Sequence, residues 1–278
     1  MPTPTTSQPS GPVQNSRPRK PTLAEYRAVA HPPGLKERRS GEHWAGRLYM
    51  RDVSSRISRH LVNGRLTPNH YTWIMTVAGL LSGPALLVPG IAGAVLGAVM
   101  MQLYLLLDCM DGELARWRNQ KSVVGVYLDR VGAYLADASL LAGFGLRCAG
   151  VGQGHGATEP WWAVLGVGAA LCAILIKSET DLVHVARAAA GMPVIGESAS
   201  VPRSGGVALA RRLASGLQFH RLIGGIEASL VIVVVAVVDL FVGGGLTVQR
   251  VLVVVVCAIA VLQTALHLAS IMFSSRLR

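Results

Sequence analysis

Cysteine and acidic residues are scarce in this sequence of 278 residues, which has four cysteines and 15 aspartates and glutamates against 26 lysines and arginines. The cysteines are scattered, without a CxxC pair and without a histidine at metal-ligand spacing, so the pattern excludes the common zinc and dithiol sites. We expect them to be small buried hydrophobic residues. The net charge of +11 shows no feature typical of nucleic-acid binding, and we expect no nucleic-acid partner. The four cysteines are Cys109, Cys148, Cys172 and Cys257.

The start of the chain lacks the apolar side chains that a packed core needs. It is rich in proline, serine, threonine, arginine and lysine, a composition typical of disordered segments. We therefore predict that residues 1–41 form a disordered, basic tail. No short apolar core follows the cationic start, so we expect no signal peptide.

Hydrophobic residues make up 51% of the chain, and the mean hydropathy is positive. Several apolar runs approach or exceed the about 20 residues that a membrane-spanning helix needs. The sequence therefore predicts an all-α integral membrane protein in which residues 65–278 form one domain of six transmembrane helices. The predicted spans are residues 69–88, 91–114, 123–147, 161–183, 225–243 and 250–273.

Lysine and arginine predict the orientation, because cytoplasmic loops carry an excess of both. Only Arg147 and Arg250 fall at the ends that face the loops near 89, 150–160 and 245. We therefore predict a multi-pass protein of the cell membrane, with both termini and the loop around 116–122 in the cytoplasm. The positive charge also favours anionic membrane lipids, by about 1 kcal/mol for each basic residue near the surface.

Residues 42–64 precede the first predicted span and alternate apolar residues with arginines in a helical rhythm. The apolar positions are Trp44, Leu48, Ile57 and Leu61. This pattern predicts an amphipathic helix that lies on the cytoplasmic interface. A solvated helix packed on the bundle is the alternative.

Three aspartates lie where the second predicted span ends and the third begins. Asp108 and Asp111 are three residues apart and share a helix face, and Asp129 returns to their level on an antiparallel neighbouring helix. A charged side chain at membrane depth costs about 2.5 to 3.5 kcal/mol, which calls for a functional explanation. Carboxylates without imidazole or thiolate suit Mg²⁺, Mn²⁺ or Ca²⁺, and Mg²⁺ also takes phosphate oxygens as ligands. The sequence therefore predicts a divalent-metal site that handles phosphate.

The residues around these aspartates fit a phosphate ligand. Gly112 and Gly125 have no side chain and allow a ligand or a facing helix to approach the backbone. Arg116 has a planar guanidinium that matches the geometry of phosphate. None of these residues is nucleophilic in its own right, which favours direct displacement over a covalent enzyme intermediate.

Seven positions at fixed spacing read Asp108-x-x-Asp111-Gly112-x-x-Ala115-Arg116, then eight residues, then Gly125-x-x-x-Asp129. This run resembles the signature of the CDP-alcohol phosphotransferases, also called CDP-alcohol phosphatidyltransferases, which are membrane enzymes of phospholipid biosynthesis. Thr67-Pro68-Asn69, at the start of the first span, is also similar to a recurrent element of that family. The resemblance implies six spans preceded by a cytoplasmic amphipathic helix.

The resemblance implies transfer of a phospho-alcohol group from a CDP-alcohol lipid, such as CDP-diacylglycerol, to a hydroxyl acceptor, with release of CMP. The acceptor would be a polyol phosphate. Two Mg²⁺ or Mn²⁺ ions would hold the diphosphate, with Asp108, Asp111 and Asp129 as metal ligands. The CDP would be framed by Asp111, Gly112, Ala115, Arg116, Gly125 and Asn69.

One position departs from the family pattern, which closes with a fourth aspartate that completes the metal site and takes the proton from the acceptor. Here that residue is Ala133, whose methyl group can neither bind a metal nor accept a proton. The general base is therefore unassigned, and we expect the second metal to be held less fully. Asp137 lies about 12 Å beyond Asp129 along the helix axis and is turned by about 80°. A catalytically impaired homologue that binds CDP-alcohol and a small cation- or proton-coupled transporter are the alternatives.

Other polar residues of the spans have a structural interpretation. We expect Asp137 and Asp239 to make helix-to-helix contacts, as isolated intramembrane aspartates usually do. We expect Glu113, which points to a different face from Asp111, at the surface or in a polar cavity. The fourth span ends in a polar stretch that is either a solvated extension of the helix or the wall of an acceptor cavity: Lys177, Glu179, Asp181 and His184.

Small residues along the apolar spans allow close helix packing and a homodimer. Examples are Gly93, Gly97, Gly166 and Gly168.

Overall fold

The computed structural model describes residues 17–32, 43–154, 159–193, 224–243 and 245–273. In this part of the chain the regular structure is helical and there is no strand, which confirms the predicted all-α class. The helices are α1 Leu23–Ala30, a π-helical segment Gly46–Met50 that continues into α2 Arg51–Ser58, α3 Pro68–Leu86, α4 Gly90–Arg118, α5 Val123–Cys148, α6 Pro160–Ala189, α7 Gly225–Phe241 and α8 Thr247–Met272.

Local sequence signals set the helix ends around the predicted site. The Thr67 side chain caps α3, with Pro68 as the first helical residue, where its missing N–H is not needed. Asn119 ends α4 in the left-handed conformation with a φ of 54°. The Ser122 side chain then accepts a hydrogen bond from the backbone N–H of Gly125 and starts α5. We call the end of the bundle at which α4 turns into α5 the motif end.

The six long helices pack through a central α3. Helices α4 and α5 both lie along α3, α7 packs on α4, and α6 packs on α5 and α8. The predicted antiparallel neighbours α4 and α5 therefore have little contact with each other. Gly83 of α3 allows α3 and α5 to lie close together, because a Cβ added to it would lie 2.1 Å from the carbonyl oxygen of Ser139 on α5.

The six predicted spans coincide with six long helices, of which three are long and apolar enough to cross a membrane. These three are α4, α6 and α8. Large apolar side chains on the outer faces are exposed, among them Trp73, Leu171 and Leu262, as expected of surfaces in contact with lipid. For α3, α5 and α7 the membrane-spanning role stays a prediction.

The turns after α3, α5 and α7 lie together at the end opposite the motif. Arg147 is buried there and donates hydrogen bonds to the carbonyl oxygens of Leu86, Val88 and Gly90 and to Gln249 Oε1. The Leu86 and Val88 carbonyls lie at and just after the end of α3, where helical partners are missing, and Gly90 is the first residue of α4. Both basic residues at this end therefore have a structural use, since Arg250 likewise binds the Cys148 carbonyl and Glu159.

The predicted disordered tail differs from the structure over residues 17–32, which include α1. Thr22 and Glu25 form a reciprocal capping box at its start, and the hydrogen bonds from Thr22, chiefly from its backbone, lower the pKa of Glu25. Tyr26 is fully buried, with its ring centroid 5.2 Å from that of Trp117 on α4. One aromatic side chain thus anchors a segment whose average composition is polar. Residues 1–16 and 33–41 lie outside the described part of the chain.

The predicted amphipathic helix is helical over the π-helical segment and α2, but it ends at Ser58 rather than near residue 64. Its serines Ser54, Ser55 and Ser58 are buried, whereas Leu48 and Ile57 are exposed. This segment therefore packs on the bundle through its serines and through Met50 and partly buried Trp44, while Leu48 and Ile57 face outward. Its predicted contact with the membrane interface stays a prediction.

Two of the four cysteines are buried as predicted, Cys109 and Cys148, whereas Cys172 and Cys257 are partly exposed. Of the four glycines predicted to allow close helix packing or a homodimer, three lie in close contacts within this chain. A Cβ on Gly93, Gly97 or Gly166 would lie within 2.6 Å of a neighbouring atom, but at Gly168 the nearest atom would be Cys257 Sγ at 3.7 Å.

Candidate functional site

The aspartates predicted to bind metal lie near one another at the motif end. The carboxyl groups of Asp108 on α4 and Asp129 on α5 are in hydrogen-bonding contact. Asp111, one turn beyond Asp108, interacts electrostatically with both. Its Oδ2 accepts a 2.6 Å hydrogen bond from the Thr72 hydroxyl on α3. The site is therefore built where α3, α4 and α5 meet.

As they stand, these carboxylates are not gathered around one point. In the part of the chain that the structure describes, no group of three or more histidine, cysteine, aspartate and glutamate side chains could hold a metal ion. The bond from Thr72 engages Asp111, while Asp108 and Asp129 contact each other. Two carboxylates in contact repel unless a proton or a cation lies between them. The pair therefore suits a hard divalent cation in its chemistry.

Gly125 and Asn69, both predicted to frame the CDP, are brought together beside the start of α5. Ser122 Oγ accepts a 2.9 Å hydrogen bond from Gly125 N and donates a 3.2 Å hydrogen bond to Asn69 Oδ1. A Cβ on Gly125 would lie 2.9 Å from Asn69 Oδ1 and 3.0 Å from Ser122 Oγ. A side chain at position 125 would therefore displace Asn69 or Ser122.

Arg116 folds back over Gly112, where an added Cβ would lie 3.2 Å from the guanidinium. Its Nε donates a 2.6 Å hydrogen bond to the carbonyl oxygen of Ala30, at the end of α1. The arginine predicted to bind phosphate thus also holds α1 against the end of α4. Ala115, one residue earlier, is half-buried on the same helix.

The prediction for Glu113 as a surface or cavity residue was wrong, because its side chain is fully buried. Its Oε1 accepts hydrogen bonds from His31 Nε2 at 2.8 Å and from Ser54 Oγ at 2.6 Å. Glu113 therefore joins the segments before α3 to the helix that carries the motif. No sequence signal marked these contacts, since the partners are 82 and 59 residues away.

A model of the CDP-alcohol phosphatidyltransferase family matches residues 65–202, which include all the residues predicted to bind metal or CDP. The chain belongs to this family. Two curated proteins, each described as a bifunctional IPC transferase and DIPP synthase, are similar to it. The protein of Thermococcus kodakarensis is 29% identical over 142 residues, which are 51% of this chain and 30% of that protein. The protein of Aquifex aeolicus is 33% identical over 107 residues, 38% of this chain and 24% of that protein.

The alignments therefore cover less than a third of either relative. The segments that pack on the motif helix from outside, α1 and α2, precede the part that matches the CDP-alcohol phosphatidyltransferase family. They supply His31, Ser54 and the Ala30 carbonyl to residues of the motif. In this chain the family domain is thus extended by N-terminal helices that touch its signature.

Ala133, where the resemblance implies a fourth aspartate, has a cation beside it. Lys177 Nζ, from α6, donates a 3.0 Å hydrogen bond to the Ala133 carbonyl oxygen and lies 2.7 Å from Asp137 Oδ2. The other oxygen of Asp137 accepts a 3.0 Å hydrogen bond from Gly225 N at the start of α7. Asp137 therefore joins α5 to α6 and α7, as expected of a helix-to-helix contact.

Two other polar residues of the spans, Asp239 and Asp181, also contact neighbouring segments. Asp239 accepts hydrogen bonds from Val248 N and Gln249 N and so caps α8, which confirms its structural interpretation. Asp181 contacts Arg130 and Tyr134 of α5. Lys177 and Asp181 of α6 thus pair with α5 or its carbonyls, whereas His184 is exposed, and both interpretations of this stretch stay predictions.

Proposed function

We propose that this chain transfers a phospho-alcohol group from a CDP-alcohol such as CDP-diacylglycerol to a hydroxyl acceptor, with release of CMP, in phospholipid biosynthesis. The observation that carries the proposal is the contact between Asp108 and Asp129, with Asp111 one turn away, inside the matching family domain. The acceptor we propose is a polyol phosphate. Family membership favours this transfer over the cation-coupled transporter.

In this proposal Asp108, Asp111 and Asp129 hold Mg²⁺ or Mn²⁺, which supplies positive charge to the diphosphate and to the leaving CMP. Gly125 lets Asn69 lie against the start of α5, where both would frame the nucleotide. Arg116 offers its guanidinium to a phosphate oxygen, and Gly112 allows that group to lie close to the backbone. No residue of the set is a nucleophile, so the acceptor hydroxyl attacks phosphorus directly.

The site would face the cytoplasm, at the surface of the cell membrane. Three apolar helices support the membrane location, and the lysines and arginines around the motif end support the orientation. The two arginines at the opposite end are bound to carbonyl oxygens and do not count against it. A homodimer remains part of the proposal, although three of the glycines that suggested it pack inside the chain.

The test is CMP release by the purified protein from CDP-diacylglycerol, with Mg²⁺ or Mn²⁺ and a panel of polyol phosphates. We expect activity that Asp111→Asn lowers by at least about 100-fold, since one of few charged groups facing the transferring phosphate is lost. Asp52→Asn is the matched control, because Asp52 pairs with Arg27 outside the family domain. Equal activity of Asp111→Asn and the unchanged protein would contradict the proposed site.

A catalytically impaired homologue that only binds CDP-alcohol is the second candidate, and Ala133 favours it. Loss of a general base costs about 10² to 10⁴ in rate, so this candidate predicts cation-dependent CDP binding without CMP release. Ala133→Asp should then restore CMP release. Activity in the unchanged protein would exclude the impaired homologue.

A further inference from the structure

We propose that the Lys177 ammonium takes the place of a second metal ion in the site, so that this enzyme works with one divalent cation. This inference rests on the proposed function and concerns the same nucleotide site. It follows from what lies beside Ala133, where the chain has no oxygen ligand on its side chain. The Asp108 and Asp129 carboxylates suit one hard cation in their chemistry, but the Ala133 side chain offers no ligand to a second.

The position of Lys177 is the first step. Ala133 lies one helical turn after Asp129, and residues four apart share a helix face. Lys177 Nζ lies 3.0 Å from the Ala133 carbonyl oxygen and therefore reaches the turn from which a fourth carboxylate would project. A cation thus occupies the neighbourhood in which the family pattern predicts a metal ligand.

The charge of Lys177 is the second step. Asp129 interacts electrostatically with both Lys177 and Arg130. Arg130 is paired with Asp181, so its charge is opposed by a carboxylate. Lys177 is paired with Asp137, but that carboxylate also accepts Gly225 N at the start of α7, where the helix dipole is positive and stabilises a negative charge. The positive charge of Lys177 is therefore only partly compensated by Asp137.

The third step is the donor capacity of the ammonium group. It has three N–H donors, and its contacts with Ala133 and Asp137 account for two. The third can bind a phosphate oxygen of the CDP-alcohol. A divalent ion placed beside this ammonium would instead be repelled. Lys177 is thus a diphosphate-binding residue and the reason that one metal suffices.

The experiment counts Mn²⁺ bound to the full chain in detergent in the presence of CDP, by electron paramagnetic resonance, and measures CDP affinity in parallel. We expect one Mn²⁺ per chain in the unchanged protein. We expect Lys177→Met to keep one Mn²⁺ and to weaken CDP binding at least 10-fold. Lys177→Arg keeps the charge and should retain most of the affinity. Lys20→Met, an exposed lysine outside the family domain, should change neither quantity.

The double variant Ala133→Asp with Lys177→Met should bind two Mn²⁺, because it exchanges the ammonium for a carboxylate. Two Mn²⁺ in the unchanged protein, or full CDP affinity in Lys177→Met, would overturn the role of Lys177 and leave the proposed function intact. Absence of CDP-dependent Mn²⁺ binding in the unchanged protein would overturn the proposed function as well.

Discussion

At the scale of single residues, the site depends as much on missing side chains as on the carboxylates. Gly125 has Asn69 and Ser122 directly beside it, and the Ala133 carbonyl accepts a hydrogen bond from Lys177. The resemblance implied Gly125 and Asn69 as residues that frame the CDP, but not the contact of Gly125 with Ser122. The sequence could not predict the contact of Lys177 with Ala133, because Lys177 lies 44 residues further along the chain.

Gly125→Ala tests the close approach at the start of α5. The added Cβ would lie 2.9 Å from Asn69 Oδ1, so Asn69 or the first turn of α5 must move. We expect CDP affinity to fall roughly 10-fold, which corresponds to about 1.4 kcal/mol. Gly168→Ala, where the nearest atom would be 3.7 Å away, is the control. Unchanged CDP affinity in Gly125→Ala would show that the nucleotide does not depend on this contact.

At the scale of helices, packing follows small residues that face each other. Helices α5 and α6 meet at Gly145 and Gly166, where a Cβ on Gly166 would lie 2.5 Å from Gly145 Cα. The lengths of the helices could be predicted from apolar runs, since a run of that kind is a local property of the sequence. The neighbours of each helix could not be predicted, because each apolar face offers several small residues to several possible partners.

Gly166→Ala should therefore lower the thermal stability of the protein in detergent, by the equivalent of about 1 to 3 kcal/mol for overpacking. Gly168 lies on the same helix two residues away. Its replacement by alanine should leave stability unchanged or raise it by about 0.5 to 1 kcal/mol, because glycine is unfavourable inside a helix. The check is the apparent melting temperature of both variants. Equal shifts in the two variants would show that the contact between α5 and α6 is not tight.

At the scale of the whole molecule, the two ends of the bundle differ in charge and in what the charges do. At the end opposite the motif, Arg147 and Arg250 bind carbonyl oxygens and a carboxylate. At the motif end, Arg116 binds the last turn of α1 and lies beside the proposed nucleotide site. The distribution of lysine and arginine predicts that the motif end is cytoplasmic.

Single cysteines placed in exposed turns test this orientation. In intact cells, a maleimide that does not cross membranes should label Gly245→Cys, which lies between α7 and α8, but not Gln120→Cys, which lies between α4 and α5. Permeabilised cells should show labelling of both. The unchanged protein is the control for its own four cysteines. Labelling of Gln120→Cys alone in intact cells would reverse the predicted orientation.

The sequence by itself determined the helical class, the position of the long helices and the set of motif residues, because hydrophobic runs and fixed spacings are local properties of the chain. It did not determine that α4 and α5 share α3 as a neighbour, that Glu113 is buried under α1 and α2, or that Lys177 lies beside Ala133. Those features depend on contacts between residues far apart in the chain. Only the tertiary structure decides them, because side-chain size and close helix approach select one partner among several apolar faces.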